Sequence, residues 1–286
     1  VNQLERPIGI FDSGIGGLSV LRHIRKELPN ENLRYFADSG FAPYGEKPEA
    51  IIIQRSLKIA QYLFTCNCKA LVIACNTATA AAIHLLREKY PEIPIVGIEP
   101  GLKPAAAMTQ TQTVGVLATE RTLHSNKFRN LHQQLSNQTG VRFMMQACPG
   151  LADLVEKNEL HSTRAIALVQ SYIRPLIEQN ADTLVLGCTH YPFLQKAIEN
   201  TISEYAAKPV HIIDTGIAVT RQLVRLLNQY NLKQANPAAK SSVHAQTTGH
   251  AAMLSDQFEQ LLGIRPDVTS ITTDMITTLP SPFSSV

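Results

Sequence analysis

Two short segments of the chain are built alike: residues 70–77 read Ala-Leu-Val-Ile-Ala-Cys-Asn-Thr, and residues 183–190 read Thr-Leu-Val-Leu-Gly-Cys-Thr-His. Each is an apolar run that stops at a cysteine followed by two polar side chains. A Val/Leu/Ile run without alternation is the pattern of a strand whose sheet is covered on both faces. Cys75 and Cys188 therefore fall just past the carboxyl ends of parallel strands, where open α/β sheets bind their ligands.

The repetition extends further. Ile8-Gly9-Ile10-Phe11 is echoed by Val114-Gly115-Val116-Leu117, and the run 94–99, ending in Glu99, by 209–214, ending in Asp214. Three matches in the same order, at nearly constant offset, indicate a duplication at domain scale rather than a short-period solenoid.

Strand-type runs fall near residues 7–11, 33–37, 70–74, 94–98, 113–117, 141–146, 182–187 and 210–213. Helical spacing covers 17–28, 48–63, 78–90, 160–179, 193–205 and 217–230. This alternation predicts a parallel α/β architecture. Residues 231–242 read as a polar connection, followed by one more strand at 243–248 and a helix at 251–262. The Thr/Ser/Pro-rich tail after Asp274 is expected to be loosely held. The expected architecture is two similar parallel-sheet α/β domains related by a pseudo-twofold. The first takes residues 1–97 plus 211–286 and the second 98–210, with the active site in the cleft between them.

Composition narrows the function classes. The 286 residues suffice for two domains with separate cores. A net charge of +3 without a Lys/Arg-rich run argues against direct nucleic-acid binding. No apolar stretch approaches the ~20 residues of a membrane span, and residues 1–7 lack the apolar core of a signal peptide. Five cysteines make no disulfide framework, so the expected compartment is the reducing cytoplasm.

Asp12-Ser13-Gly14-Ile15-Gly16-Gly17 follows the first strand and opens the first helix. Its glycines permit positive φ and close backbone approach to a ligand, and the helix amino terminus favours an anion. Ser19 stands where a dinucleotide fingerprint has its third glycine, and there is neither a Walker lysine nor a serine-hydrolase elbow. Two thiols at equivalent strand ends suit proton transfer on opposite faces of one carbon, as inversion of a stereocentre requires. A free thiol has a pKa of about 8.5, so neighbouring groups must tune it. Asp12 is placed to act near one thiol and His190 near the other. Asn76, Thr77 and Thr189 offer amides and hydroxyls for carboxylates or an enolate-like intermediate. Tyr44, in the loop Pro43-Tyr44-Gly45, is a further substrate contact. Cys66, Cys68 and Cys148 are read as structural, and His84, His124, His132 and His161 as core or surface residues. No ligand cluster suits a metal, and no lysine sits in a recognisable pyridoxal-phosphate context.

At the motifs Asp12–Gly17, Pro43-Tyr44-Gly45, Cys75-Asn76-Thr77 and Gly187-Cys188-Thr189-His190 the chain resembles the glutamate racemases. The motifs stand in the family's order and spacing, and the likeness covers about residues 7–265. The resemblance implies a cofactor-independent two-base mechanism that supplies D-glutamate for peptidoglycan. Cys75 would deprotonate D-glutamate and Cys188 L-glutamate. Asp12 and His190 would assist the thiols, and Ser13, Tyr44, Gly45, Asn76, Thr77 and Thr189 would bind glutamate. Thr119 and Thr122 are further binding candidates, and Glu156 matches an acid some members place near the second thiol. The resemblance also implies a homodimer without pyridoxal phosphate or metal. Two readings stay open beside it: a related two-thiol racemase or isomerase acting on aspartate or hydantoins, and a non-catalytic gyrase-binding protein.

Overall fold

The apolar runs form strands. A computed structural model describes residues 2–239 and 241–272, and the tail after Asp274 lies outside the described residues. The strands are β1 (Ile8–Asp12), β2 (Leu33–Ala37), β3 (Ala70–Ile73), β4 (Ile95–Gly97), β5 (Thr113–Ala118), β6 (Arg142–Ala147), β7 (Thr183–Gly187), β8 (His211–Asp214), β9 (Val243–Thr247) and β10 (Asp267–Ser270). The helices are α1 (Leu18–Glu27), α2 (Glu49–Thr65), α3 (Asn76–Lys89), α4 (Leu102–Met108), α5 (Glu120–His124), α6 (Asn126–Thr139), α7 (Leu151–Glu156), α8 (Thr163–Glu178), α9 (Gln195–Tyr205), α10 (Gly216–Gln229) and α11 (Ala251–Leu262).

The described residues divide into two compact units, one within 1–98 and 216–286 and the other within 99–215. The first holds a six-stranded sheet of order β10-β9-β2-β1-β3-β4, and the second a four-stranded sheet of order β6-β5-β7-β8. Every strand pair is parallel. The second unit runs past the expected boundary at residue 210. β8 pairs with β7, so residues 211–214 complete the second sheet as β4 completes the first.

In the first unit, Phe11, Phe36, Leu71 and Ile73 pack with Ile59 and Leu63 of α2 and Ala82, Ile83 and Leu86 of α3. The opposite face presents Tyr35, whose ring meets Phe258 of α11 edge-on. β3 is buried on both sides, which explains its unbroken apolar run. Each such Val, Leu or Ile contributes about 1.5–3 kcal/mol by leaving water. In the second unit, Val114, Val116, Phe143 and Val185 pack with Leu102 and Ala105 of α4 and Phe128 and Leu135 of α6.

The strand order β2-β1-β3-β4 recurs as β6-β5-β7-β8, so the duplication seen in the sequence is also one of topology. In each unit the chain leaves one central strand toward one edge and the other toward the opposite edge. The carboxyl ends of β1 and β3, and of β5 and β7, are therefore topological switch points, where a crevice opens for a ligand.

Several elements were not expected. α4, α5, α6, α7 and β10 have no counterpart in the sequence reading, and α8 begins at Thr163, where Ser162 caps the amide of Ala165. Among the described glycines, positive φ occurs at Gly140, Gly150 and Gly263 and not in the Asp12–Gly17 motif. At Gly17 the absence of a side chain serves close packing instead. A Cβ at Gly17 would stand 2.7 Å from Cβ of Asp12 and 3.0 Å from Cβ of Ala74. No helix among the described residues is long and apolar enough to cross a membrane.

Candidate active site

In the first unit, Asp12 is the last residue of β1 and Cys75 lies two residues beyond β3, the strand beside it. Both are buried. Cys75 is the N-cap of α3, and its sulfur accepts the amide of Ala78 at 3.4 Å. A sulfur at a helix amino terminus is favoured as the anion by the helix dipole and the free amides. The Cys75 thiol also lies 3.7 Å from Oγ of Ser13, and Ser13 donates to Oδ1 of Asp12 at 3.1 Å. Asp12 Oδ1 accepts the amide of Gly14 as well, at 2.9 Å, which fixes the turn out of β1. The structure thus joins Cys75 to Asp12 through Ser13.

Asn76 and Thr77 open α3 and are buried beside the thiol. The Asn76 amide has no hydrogen-bond partner at either its nitrogen or its oxygen. An unmade buried hydrogen bond costs about 1–3 kcal/mol, so a ligand or an ordered water that completes this amide's bonds gains that much.

Tyr44 and Gly45 lie in the loop between β2 and α2. The Tyr44 ring is buried edge-on to Phe11, and its hydroxyl donates to Asp38. Burial, reinforced by the Asp38 carboxylate, raises its pKa well above the ordinary tyrosine value, so it remains a neutral phenol. Its hydroxyl is therefore committed to Asp38.

In the second unit, Cys188 follows β7 directly; it stands two residues past Leu186, which pairs with Leu117 as Ile73 pairs with Phe11, so by register it matches Cys75. No α-helix starts there. The chain enters a 3-10 turn over Tyr191–Leu194, and Cys188 O accepts the Tyr191 amide. An imidazole is the neighbour instead. Cys188 Sγ lies 3.5 Å from Nδ1 of His190, whose Nε2 stands 2.7 Å from Oε1 of Glu156. Burial alone would lower the His190 pKa. Its contacts with Cys188 and Glu156 outweigh that and raise it well above the ordinary histidine value. A protonated imidazole thus places a donor and a positive charge beside the sulfur. Glu156 ends α7, which Gly150 starts from a left-handed conformation, φ 83°, that suits glycine.

Thr119 follows β5 as Ser13 follows β1, and its Oγ1 caps the amide of Thr122 at 3.2 Å. Thr189 is buried beside Cys188. Cys148 is buried too, and that burial, with Cys188 nearby, pushes its thiol up and keeps it neutral. Cys68 is pushed up to about 12, chiefly by burial. Among the described residues no group of three or more His, Cys, Asp or Glu is arranged to hold a metal ion.

Two buried polar residues are not among the site residues expected from the sequence: Asp38, which follows β2 and reads there only as part of a loop, and Arg55 on α2, which binds it through two nitrogens. The available signal was positional, since Asp38 closes its strand beside Asp12.

The sequence pattern of the Asp/Glu/Hydantoin racemase family matches residues 13–223. The chain belongs to that family. Among its racemase relatives, the glutamate racemase of Ectopseudomonas mendocina is 51% identical over 238 residues, covering 83% of this chain and 88% of that protein. The glutamate racemase of Ralstonia nicotianae is 50% identical over 263 residues, covering 92% and 91%. A glutamate racemase isoform of Bacillus anthracis superimposes with a TM-score of 0.83 at 31% identity, covering 94% of this chain and 98% of that one.

Proposed function

We propose that this racemase interconverts L- and D-glutamate, with Cys75 and Cys188 as the two proton-transfer groups. The observation that carries the reading is a repeated one. At the same register position in the same strand order, each unit presents a thiol that a buried polar side chain links to a carboxylate: Cys75 through Ser13 to Asp12 in one, Cys188 through His190 to Glu156 in the other. The glutamate racemases similar along most of the chain support glutamate as the substrate.

In this reading one cysteine is a thiolate and the other a thiol. The thiolate takes the α-proton, and the thiol delivers its own proton to the opposite face. The products are the other enantiomer and an enzyme with the two protonation states exchanged. Cys75 removes the proton of D-glutamate and Cys188 that of L-glutamate. The helix amino terminus at Cys75 and the imidazolium at Cys188 are two electrostatic means of poising a sulfur for this work. Asn76, Thr77, Thr189, Ser13 and Thr119 supply donors to the substrate carboxylates and to the charge that develops beside the α-carbon. No step requires pyridoxal phosphate or a metal.

The reading extends to a homodimer supplying D-glutamate for peptidoglycan, which rests on the family resemblance, and to the cytoplasm, which rests on the cysteine pattern. The deciding experiment incubates the purified protein with L-glutamate in D2O without added cofactor. The expected result is D-glutamate carrying deuterium at the α-carbon. Activity confined to aspartate or a hydantoin in a substrate panel with chiral analysis would overturn the assignment of substrate.

A further inference from the structure

The loop between β2 and α2 makes two 3-10 turns, Ser39–Phe41 and Tyr44–Glu46, the second of which carries Tyr44 and Gly45. One guanidinium fixes it at several points. Arg55, in the second turn of α2, donates from Nε to Oδ2 of Asp38 at 2.9 Å and from Nη2 to Oδ1 at 2.5 Å. The same group lies 3.6 Å from the ring centroid of Phe41. Asp38 in turn accepts the Tyr44 hydroxyl on Oδ2 and the Thr248 hydroxyl on Oδ1, the latter at 2.8 Å. Thr248 Oγ1 accepts the amide of Gly40 at 3.0 Å. The start, middle and end of the loop thus converge on one ion pair. Its side chains are 6% and 0% exposed, so water does not compete for these bonds.

A buried ion pair is a poor source of stability, because desolvating both charges offsets most of their attraction. What it supplies here is orientation. The guanidinium fork fixes both carboxylate oxygens, and its flat face lies on Phe41; a lysine ammonium does neither. We propose that Arg55 is a positioning residue, acting through Asp38 and Phe41 to hold the Tyr44-Gly45 segment in the conformation that receives an amino-acid carboxylate. This rests on the glutamate reading above. The segment binds ground state and transition state alike, so loosening it weakens binding more than turnover.

The test compares Arg55→Lys and Thr248→Val with the wild type in two readouts: steady-state kinetics with each enantiomer, and amide hydrogen exchange followed by mass spectrometry. For Arg55→Lys, KM is expected to rise about tenfold or more with kcat within about threefold. Exchange should accelerate over residues 38–47 and stay unchanged over 70–89. Thr248→Val, which deletes one hydroxyl, should shift both readouts in the same direction by less. It decides the matter by the same criteria where Arg55→Lys fails to fold. Wild-type exchange over 38–47, or a fall in kcat at constant KM, overturns the proposal. A wild-type protein inert toward glutamate would instead defeat the substrate reading, and substrate positioning with it. The exchange data would still settle whether Arg55 holds the loop.

Discussion

His190 stands 2.7 Å from Glu156, a contact that ties the loop after β7 to the end of α7 and orients the imidazole toward Cys188. The carboxylate fixes which ring nitrogen faces the sulfur and helps to keep the ring charged.

Glu156→Gln keeps the shape and removes the charge, so the His190 pKa should fall toward the ordinary value of about 6.5. An NMR titration of the imidazole C–H signals reads this directly. The kcat/KM should drop about tenfold or more. The linkage also has a sign. A histidine raised in the folded state contributes stability that is fully present below its unfolded pKa and is lost as pH climbs through the raised value. The melting-temperature gap between wild type and variant should therefore be widest in mild acid and narrow with rising pH.

The two thiols should fail differently. Cys188→Ala is expected to lose racemisation while still exchanging the α-proton of D-glutamate through Cys75. Cys75→Ala should confine residual exchange to L-glutamate. NMR of each variant with each enantiomer in D2O separates these outcomes, and near wild-type inversion in either would sink the two-thiol mechanism.

Gly17→Ala tests the packing at the start of α1. The new methyl would stand 2.7 Å from Cβ and 2.9 Å from Oδ2 of Asp12, so the carboxylate or the helix must shift. Overpacking of this kind costs about 1–3 kcal/mol, measurable by denaturant unfolding. The displaced Asp12 should lower activity beyond what the stability loss explains.

Asp182 holds the turn before β5, accepting from Thr109 Oγ1 and from the amides of Gln110 and Thr111. Burial pushes its carboxyl up, but those bonds outweigh it and leave the pKa below the ordinary value. A depressed carboxylate stabilises the fold above its unfolded pKa and loses that contribution as pH falls through the folded value. Asp182→Asn should cost about 1–3 kcal/mol at neutral pH, with the difference from wild type shrinking in acid below about pH 4.

The strands were readable because burial on both faces leaves an unmistakable apolar run, as in β3 and β7. The turns carrying Cys75 and Cys188 came with them, since strand ends fix switch points. α6 was hidden because its fourteen residues are mostly polar, with Phe128, Leu131 and Leu135 giving too thin a stripe. β10 is short, polar and largely exposed at a sheet edge. The clamp on the Tyr44 loop was beyond local reading. Asp38 and Arg55 are 17 positions apart and Thr248 lies 210 beyond Asp38, so their meeting depends on β2 pairing with β9.

The two sulfurs have unlike company: a hydroxyl and a helix amino terminus at Cys75, an imidazole at Cys188. Mirror-image amino acids have equal free energies in water, so their equilibrium ratio is unity, and no arrangement of protein groups can favour one product. For the proposed reaction kcat/KM must then be the same in both directions, in the wild type and in every variant. The chemical asymmetry can act only on the relative stabilities of the enzyme's forms, free and with each enantiomer bound. It should therefore surface as enantiomers that differ in kcat and in KM by one common factor.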